Sequence, residues 1–118
     1  MKIAIIGGGA AGFFAAINCK LNFPEHQITI YEKSKKTLSK VKVSGGGRCN
    51  VTNATFSISD LTKNYPRGNK ALKKVFNQFN PKHTIEWFES RGIPLITQHD
   101  NCIFPVSQQS QSFIDLFN

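Results

Sequence analysis

The sequence predicts an α/β fold, in which a parallel strand–helix–strand unit is followed by helices and a β-hairpin. A short apolar run over residues 2–6 leads directly into a glycine-rich loop and an Ala-rich segment, and a second strand-like run begins at Gln27. A strand, a helix and a strand in about thirty residues have the size of one βαβ unit. Because a doubly wound sheet needs a third parallel strand, we expect an incomplete doubly wound domain, the N-terminal piece of a longer protein.

The elements of the βαβ unit follow from their residues. Lys2–Ile6 is an almost continuous apolar run, typical of a strand buried on both faces of a parallel sheet. Phe13 to about Leu21 is rich in alanine and apolar residues and predicts a helix packed on most of its surface. Residues 23–26 interrupt that helix, and the β-branched and aromatic residues of Gln27–Glu32 predict the second strand.

The middle of the chain gives weaker signals. Residues 34–53 show little regular structure, and residues 55–65 are ambiguous. Residues 65–68 predict a turn. Asn69–Phe79 predicts a helix, since its apolar residues fall on one face.

Another helix is predicted after Asn80, with that residue as its N-cap and Pro81 at its first position. It should end at Gly92. We expect His83, in the first turn, to face solvent.

The last part of the chain predicts a hairpin and a final helix. The runs at 93–97 and 102–104 read as two short strands, with Pro94 keeping the first at a sheet edge. The hairpin could join the parallel sheet. Ser107 is the expected cap of the last helix.

Composition and charge indicate an ordinary globular protein with a basic surface. The 118 residues are 40% hydrophobic and 19% charged, and 15 Lys and Arg face 7 Asp and Glu, for a net charge of +8. A field of that sign attracts polyanions such as cofactor phosphates or RNA. The alternative is a solvated face, or a surface balanced by acidic residues of another segment.

The three cysteines indicate a reduced, cytoplasmic protein. Their number is odd and they are widely spaced, which does not suit a disulfide framework. No Cys/His pair has metal-ligand spacing, so we expect no metal site. The N-terminus does not resemble a secretory leader.

The first glycine cluster carries a G-x-G-x-x-G pattern in its proper context, after a strand and at the start of a helix. Gly7 should permit the tight turn, Gly9 the approach of a pyrophosphate, and Gly12 the close packing of helix and strand. The pyrophosphate would lie at the helix N-terminus, among the amides of Ala10 and Ala11. The pattern predicts a Rossmann-like unit that binds the adenosine diphosphate half of a dinucleotide.

Glu32 ends the second strand, twenty residues after Gly12. Its carboxylate can accept hydrogen bonds from the adenosine ribose hydroxyls and would repel a 2′-phosphate, which disfavours NADP at this site. Lys33 opens the basic run that follows and is assigned to the same cofactor site.

A second glycine cluster follows at residues 44–50. Successive free amides make an anion nest, and Arg48 can pair with phosphate oxygens. Asn50 offers a donor and an acceptor to a ribityl chain or a flavin edge. A simple NAD domain has no need of this second nest, so it favours FAD; a flexible basic loop is the alternative. The candidate cofactor residues here are Lys40, Ser44, Gly45, Gly46, Arg48, Cys49 and Asn50.

The stretch Lys40–Asn53 closely resembles the bacterial BaiN-like flavoproteins, NAD(P)/FAD-dependent oxidoreductases. Gly7–Gly12, Glu32, Trp87–Ile93 and Ile103–Ser107 also match, so the resemblance spans the chain. Two departures are Leu38-Ser39, where the family usually has Gly-Arg, and Asn101-Cys102-Ile103 before Phe104, where it usually has Gly-Arg-Val.

The resemblance implies non-covalent FAD, with NAD(P)H as a possible electron donor, and a β-rich domain inserted later in the chain. It also implies a C-terminal segment that completes the FAD site. On this basis the chain is the N-terminal portion of an FAD-binding domain. Residues 1–53 form the βαβ unit and nest, and residues 54–118 a helical and hairpin extension.

Two other functions stay open at this stage. The protein could be a flavoprotein that modifies structured RNA, which fits the basic excess, although no interleaving of aromatic and basic residues marks an RNA surface. It could also be a non-catalytic fragment. Cys49 could have a lowered pKa beside Arg48, but we favour a packing role. No catalytic residue is assigned.

Overall fold

The computed structural model describes all 118 residues and contains two sheets and six helices. β1 and β2 pair in parallel, from Lys2 opposite Gln27 to Ile6 opposite Tyr31. β3, β5 and β4 form a separate antiparallel sheet in that spatial order. The α/β fold class with an incomplete parallel sheet is confirmed. The elements in chain order are β1 (Lys2–Ile6), α1 (Ala10–Asn22), β2 (Gln27–Tyr31), α2 (Ser39–Gly47), β3 (Thr52–Asn53), α3 (Ile58–Thr62), α4 (Asn69–Gln78), α5 (Pro81–Glu89), β4 (Leu95–Thr97), β5 (Cys102–Pro105) and α6 (Gln111–Phe117).

The βαβ unit has the predicted order, with two corrections. α1 begins at Ala10 rather than Phe13, so the last residues of the glycine motif form its first turn. The strands are not buried on both faces, because exposure alternates along each of them. Ile6 is 82% exposed and Tyr31 57%. The helix covers one face of the sheet, and the opposite face is open to solvent.

A helical element, α2, lies where little regular structure was predicted, although its backbone is not helical from Ser44 to Gly46. Val41 and Val43 have modest helix propensity, and the helix is supported from outside. The Leu38 amide donates to the Gly8 carbonyl at 2.8 Å, and Ser110 Oγ donates to the Lys42 carbonyl at 2.8 Å. Residues far along the chain therefore stabilise this helix, which explains why no local pattern predicted it.

The predicted start of α5 is confirmed in detail. Asn80 Oδ1 accepts a hydrogen bond from the Lys82 amide at 3.0 Å, and the Asn80 amide donates to His83 Nδ1 at 3.0 Å. This reciprocal pair is a capping box. The prediction that His83 faces solvent was wrong, because its ring turns back to the cap, stacks on Phe79 at 5.8 Å and is half-buried.

The hairpin of β4 and β5 is confirmed, with β4 at the edge of its sheet as Pro94 predicted. It pairs with β3 and does not join the parallel sheet. The final helix begins after Ser110, so the prediction of Ser107 as its cap was wrong. Ser107 Oγ instead accepts from the Gln109 amide in the preceding turn, at 3.3 Å.

An aromatic core joins the βαβ unit to the later helices. The rings of Phe14 and Trp87 lie 4.9 Å apart, as do those of Phe88 and Phe113. Trp87 Nε1 also donates to Asn18 Oδ1 at 3.3 Å. These contacts hold α1 against α5 and α6, and so fix the position of its N-terminus. None of the helices has the length and apolar character needed to cross a membrane.

Asn80→Ala is expected to lower the free energy of unfolding by about 1 kcal/mol, because the Lys82 amide loses its acceptor. Asn77→Ala is the matched control. Asn77 is exposed on α4 and its side chain makes no hydrogen bond, and alanine is the better helix former, so no stability should be lost. Urea unfolding followed by circular dichroism measures both variants. An Asn80→Ala midpoint equal to that of the wild type would contradict the capping role.

Candidate dinucleotide-binding site

The loop between β1 and α1 is a tight turn that two of its glycines make possible. Gly7 has a φ of +106°, and its amide donates to the Tyr31 carbonyl at 2.7 Å. A Cβ at Gly12 would overlap the Gly7 carbonyl oxygen. The predicted structural roles of these two glycines are confirmed. Gly8, a free position in the motif, is also crowded, since its Cβ would lie 2.9 Å from Thr37 Cγ2.

Gly9 is not required by the fold of this chain. Its backbone is extended, with a φ of −92° and a ψ of −170°, which any L residue adopts. An added Cβ would meet no atom within 4 Å. The absence of a side chain therefore leaves open space beside the backbone, and the role of Gly9 in the approach of a pyrophosphate stays a prediction.

The N-terminus of α1 offers amides without acceptors. Its N-cap, Gly9, makes no side-chain hydrogen bond, and the first turn contains no acidic residue. The amides of Ala10, Ala11 and Gly12 have no acceptor within the protein. Aligned amides at the positive end of a helix favour an anionic ligand such as a pyrophosphate.

Glu32 lies against the glycine loop, with both carboxylate oxygens hydrogen-bonded. Oε1 accepts from the Ser34 amide at 3.0 Å and Oε2 from the Gly8 amide at 2.7 Å. These bonds, Ser34 first, and the nearby charge of Lys33 hold the pKa of Glu32 below its usual 4.5. The ionised carboxylate keeps lone pairs for further donors, and its contact with a ribose stays a prediction. Lys33 is exposed beside it.

The second glycine cluster is a left-handed turn at the end of α2. Gly45, Gly46 and Gly47 have φ values of +56°, +67° and +89°. A Cβ at Gly45 would lie 2.7 Å from the backbone nitrogen of Asn50 and 2.9 Å from Phe104 Cε1. Gly46 is exposed and has open space around it. Position 45 therefore requires glycine because a side chain would clash with its neighbours. Position 46 favours glycine only because its backbone is left-handed.

The prediction of a run of free amides was wrong for two residues of this cluster. The Arg48 amide donates to the Gly45 carbonyl at 3.4 Å, and the Cys49 amide donates to the Ser44 carbonyl at 3.0 Å. The turn closes on itself in this way, and fewer amides face outward than successive glycines suggest.

Arg48 is fixed by the second half of the chain. Its guanidinium carbon lies 4.1 Å from the centroid of the Phe104 ring. Nε donates to the Gly45 carbonyl at 3.2 Å, and Nη1 donates to Gln108 Oε1 at 3.3 Å. The donors at Nη2 make no hydrogen bond within the protein, so the predicted pairing with a phosphate stays a prediction.

Cys49 and Asn50 follow with different environments. Cys49 is 7% exposed, and burial raises the pKa of its thiol, although the hydrogen bond with Ser44 lowers it in part. The thiol is therefore not an activated nucleophile, and its packing role is supported. Asn50 is exposed, and the orientation of its side-chain amide that satisfies hydrogen bonding has the nitrogen donating to the carbonyls of Thr52 at 2.9 Å and Ile103 at 3.2 Å.

A cavity of about 470 Å³ brings the two glycine clusters together. Predicted site residues from both clusters line it: Ala10, Ala11, Lys40, Ser44, Cys49 and Asn50. The other predicted site residues lie outside its lining: Gly7, Gly9, Gly12, Glu32, Lys33, Gly45, Gly46 and Arg48. The cavity begins at the free end of α1 and reaches the end of α2.

The sequence did not predict the aromatic wall of this cavity. Its rings come from α1, α5, α6 and the end of α4: Phe14, Phe79, Phe88, Phe113 and Phe117. Their helical spacing indicated only buried helix faces. No local signal separates a ring that fills a core from one that also borders a cavity.

A βαβ unit, a glycine loop before a helix with free amides, and an acidic residue after the second strand define a dinucleotide-binding domain of the Rossmann type. The chain belongs to the HI0933-like protein Rossmann domain family, whose model matches residues 1–118. The resemblance indicated by the sequence motifs is thereby confirmed.

Three relatives show how far the similarity extends. The chain is 33% identical over 115 residues to the 3-dehydro-bile acid delta(4,6)-reductase of Clostridium scindens. The matched region covers 98% of this chain and 27% of that protein. It is 32% identical over 90 residues to the ribosomal RNA dihydrouridine synthase of Escherichia coli, covering 72% of this chain and 22% of that protein. The synthase of Haemophilus influenzae is 46% identical over 50 residues, 42% of this chain and 12% of that protein. The chain spans about a quarter of the first two relatives.

Gly12→Ala is expected to lower the free energy of unfolding by about 1–3 kcal/mol, because the new Cβ would push α1 away from the Gly7 carbonyl. Gly9→Ser is the matched control. Its side chain enters open space at an N-cap, where serine is at least as favourable as glycine. Urea midpoints measure both variants, and equal losses would contradict the different roles of the two glycines.

Glu32→Gln is expected to weaken the acid dependence of stability. The folded pKa of Glu32 is lowered, so its contribution is present above the unfolded pKa and is lost as pH falls through the folded pKa. Urea midpoints at neutral pH and at about pH 3 should differ less in the variant. Glu86→Gln, whose exposed carboxylate accepts no hydrogen bond, should keep the wild-type difference. The same difference in wild type and Glu32→Gln would refute the role of Glu32.

Proposed function

We propose that this chain is the FAD-binding portion of a flavin-dependent oxidoreductase. The observation that carries the proposal is the open space at Gly9 beside the unpaired amides of Ala10, Ala11 and Gly12. A cavity leads from there to the second glycine cluster, for which a simple NAD domain has no need. The reductase named among the relatives supports the same class of reaction.

The first motif would hold the adenosine diphosphate half. The amides at the start of α1 would bind the pyrophosphate, and the absence of a side chain at Gly9 lets the phosphates reach them. Glu32 would accept hydrogen bonds from the ribose hydroxyls, and its ionised carboxylate disfavours a 2′-phosphate. Lys33 adds a positive charge next to it.

The cavity and the second cluster would hold the remainder of the cofactor. Lys40 and Ser44 supply a cation and a hydroxyl to a wall that is otherwise largely apolar. Asn50 is left with Oδ1 as an acceptor, since its nitrogen faces two carbonyls. Arg48 offers the donors at Nη2, and Gly46 leaves open space. Gly45 and Cys49 contribute by packing the turn.

When bound, FAD supplies two-electron chemistry, taking a hydride from NAD(P)H and passing it to an acceptor. The residues of this chain would bind and orient the cofactor, and the aromatic wall would offer it an apolar surface. We assign none of them to catalysis. Three free cysteines suit a reduced, cytoplasmic environment.

A structured RNA is the second candidate for the acceptor. The observation that favours it is the net charge of +8, since an excess of that sign attracts a polyanion. Two relatives carry the name ribosomal RNA dihydrouridine synthase.

The purified protein is expected to show flavin absorption bands and to release a compound with the mass of FAD, or to bind added FAD in a fluorescence titration. Gly9→Ser should weaken FAD binding by about tenfold or more, equivalent to about 1.4 kcal/mol, because the serine fills the approach to the amides. Its fold should stay intact, because the serine side chain enters open space at the N-cap.

Ala15→Ser is the control, because it adds the same hydroxyl on the exposed side of α1. It should bind FAD like the wild type. Unchanged FAD affinity in Gly9→Ser would argue against the site, and a wild-type protein that binds NAD but refuses FAD would reject the choice of cofactor.

A further inference from the structure

Residues 57–79, which we name the basic hairpin, carry cations without acidic partners. The hairpin comprises α3, the turn at 65–68 and α4. Its one acidic residue, Asp60, pairs with Lys63 at 3.5 Å. The other cations are exposed and have no carboxylate partner: Arg67, Lys70, Lys73 and Lys74.

The arrangement of α4 turns these lysines outward together. Lys70, Lys73 and Lys74 lie at i, i+3 and i+4, and so share one face of the helix. Leu72 and Phe76 lie on the other face and are half-buried. Leu72 and Phe76 are thus turned inward while Val75 is 54% exposed, and the lysine face is left to solvent.

An aromatic ring lies at the turn of the basic hairpin. Tyr65 is 39% exposed, and its ring packs on Phe76 with centroids 5.6 Å apart. Lys63 and Arg67 flank it in the sequence. At this turn a single exposed aromatic residue stands between two basic ones. Exposed aromatic rings beside cations are the surfaces on which unpaired bases stack.

We propose that the basic hairpin docks a structured RNA. The lysines of α4 and Arg67 would contact phosphates, and Tyr65 would stack on an unpaired base. This inference rests on RNA as the acceptor in the proposed function. Phe79, at the end of α4, lines the cofactor cavity, so RNA held along this helix lies close to that cavity.

An anionic membrane is the other partner that a basic helix can suit. Such a helix inserts its apolar face between lipids. Here Leu72 and Phe76 are half-buried, and Val75, 54% exposed, is left as a lone large apolar side chain rather than a continuous apolar face. The packing therefore favours RNA.

The test is the salt dependence of binding to a labelled RNA hairpin with a single-stranded loop, measured by fluorescence anisotropy. The triple variant K70Q/K73Q/K74Q is expected to reduce the slope of log K against log salt by about 2–3, since each phosphate contact contributes about 0.7–0.9. Glutamine keeps the helix propensity of lysine. Tyr65→Ala should weaken binding about fivefold or more with little change in slope.

K2Q/K35Q/K36Q is the matched control, because it removes the same charge from exposed positions outside the basic hairpin. It should keep most of the wild-type slope. Equal losses in the two triple variants would overturn the proposal, since binding would then follow net charge alone. Binding to phosphatidylserine vesicles with no measurable binding to RNA would also overturn it.

FAD binding, measured on the same proteins, separates this inference from the proposed function. The variants of the basic hairpin, K70Q/K73Q/K74Q and Tyr65→Ala, should bind FAD like the wild type, because none of the changed residues lies in the cofactor site. A protein that binds FAD and not RNA would refute the docking surface alone. One that binds RNA and not FAD would refute the cofactor assignment alone.

Discussion

The hydrogen bond from the Leu38 amide to the Gly8 carbonyl, 2.8 Å long, sets the position of one glycine cluster relative to the other. α2 begins at the next residue and leads directly into the second cluster. Leu38 has a φ of +56°, where the family pattern has a glycine. A left-handed leucine costs about 1–2 kcal/mol, but its side chain is 1% exposed, and such burial contributes about 1.5–3 kcal/mol. The departure from the pattern is therefore compatible with the same turn.

Support from the far end of the chain holds the second cluster in turn. Phe104 lies under the Arg48 guanidinium, Gln108 Oε1 accepts from Nη1, and the Ser110 amide donates to the Gly47 carbonyl at 2.9 Å. β5 and the segment after it thus support the turn. Phe104, which lies within the matching residues 103–107, supports the turn although it does not line the cavity. The two glycine clusters depend on each other through residues that neither motif contains.

The sequence predicted the features that local rules govern. The glycine turn, the Asn80 cap and the hairpin each depend on residues a few positions apart, and each was found in its place. The features that it missed depend on distant partners. α2 contains residues with modest helix propensity and is held by Gly8 and Ser110. The aromatic wall is built from four helical segments. One face of the parallel sheet has no covering layer, and hydrophobic periodicity alone does not show whether such a layer is present.

The backbone amides of the first glycine motif fall into two groups. The Gly8 amide holds the carboxylate of Glu32, whereas the amides of Ala10, Ala11 and Gly12 are left without acceptors. An anion at the helix end is attracted by those amides, while the hydrogen bonds to Glu32 and the nearby charge of Lys33 keep the Glu32 carboxylate ionised. A hydroxyl donor near the carboxylate gains a hydrogen bond, while a phosphate there meets a like charge. The loop can thus attract phosphate at the helix and reject it at the strand end.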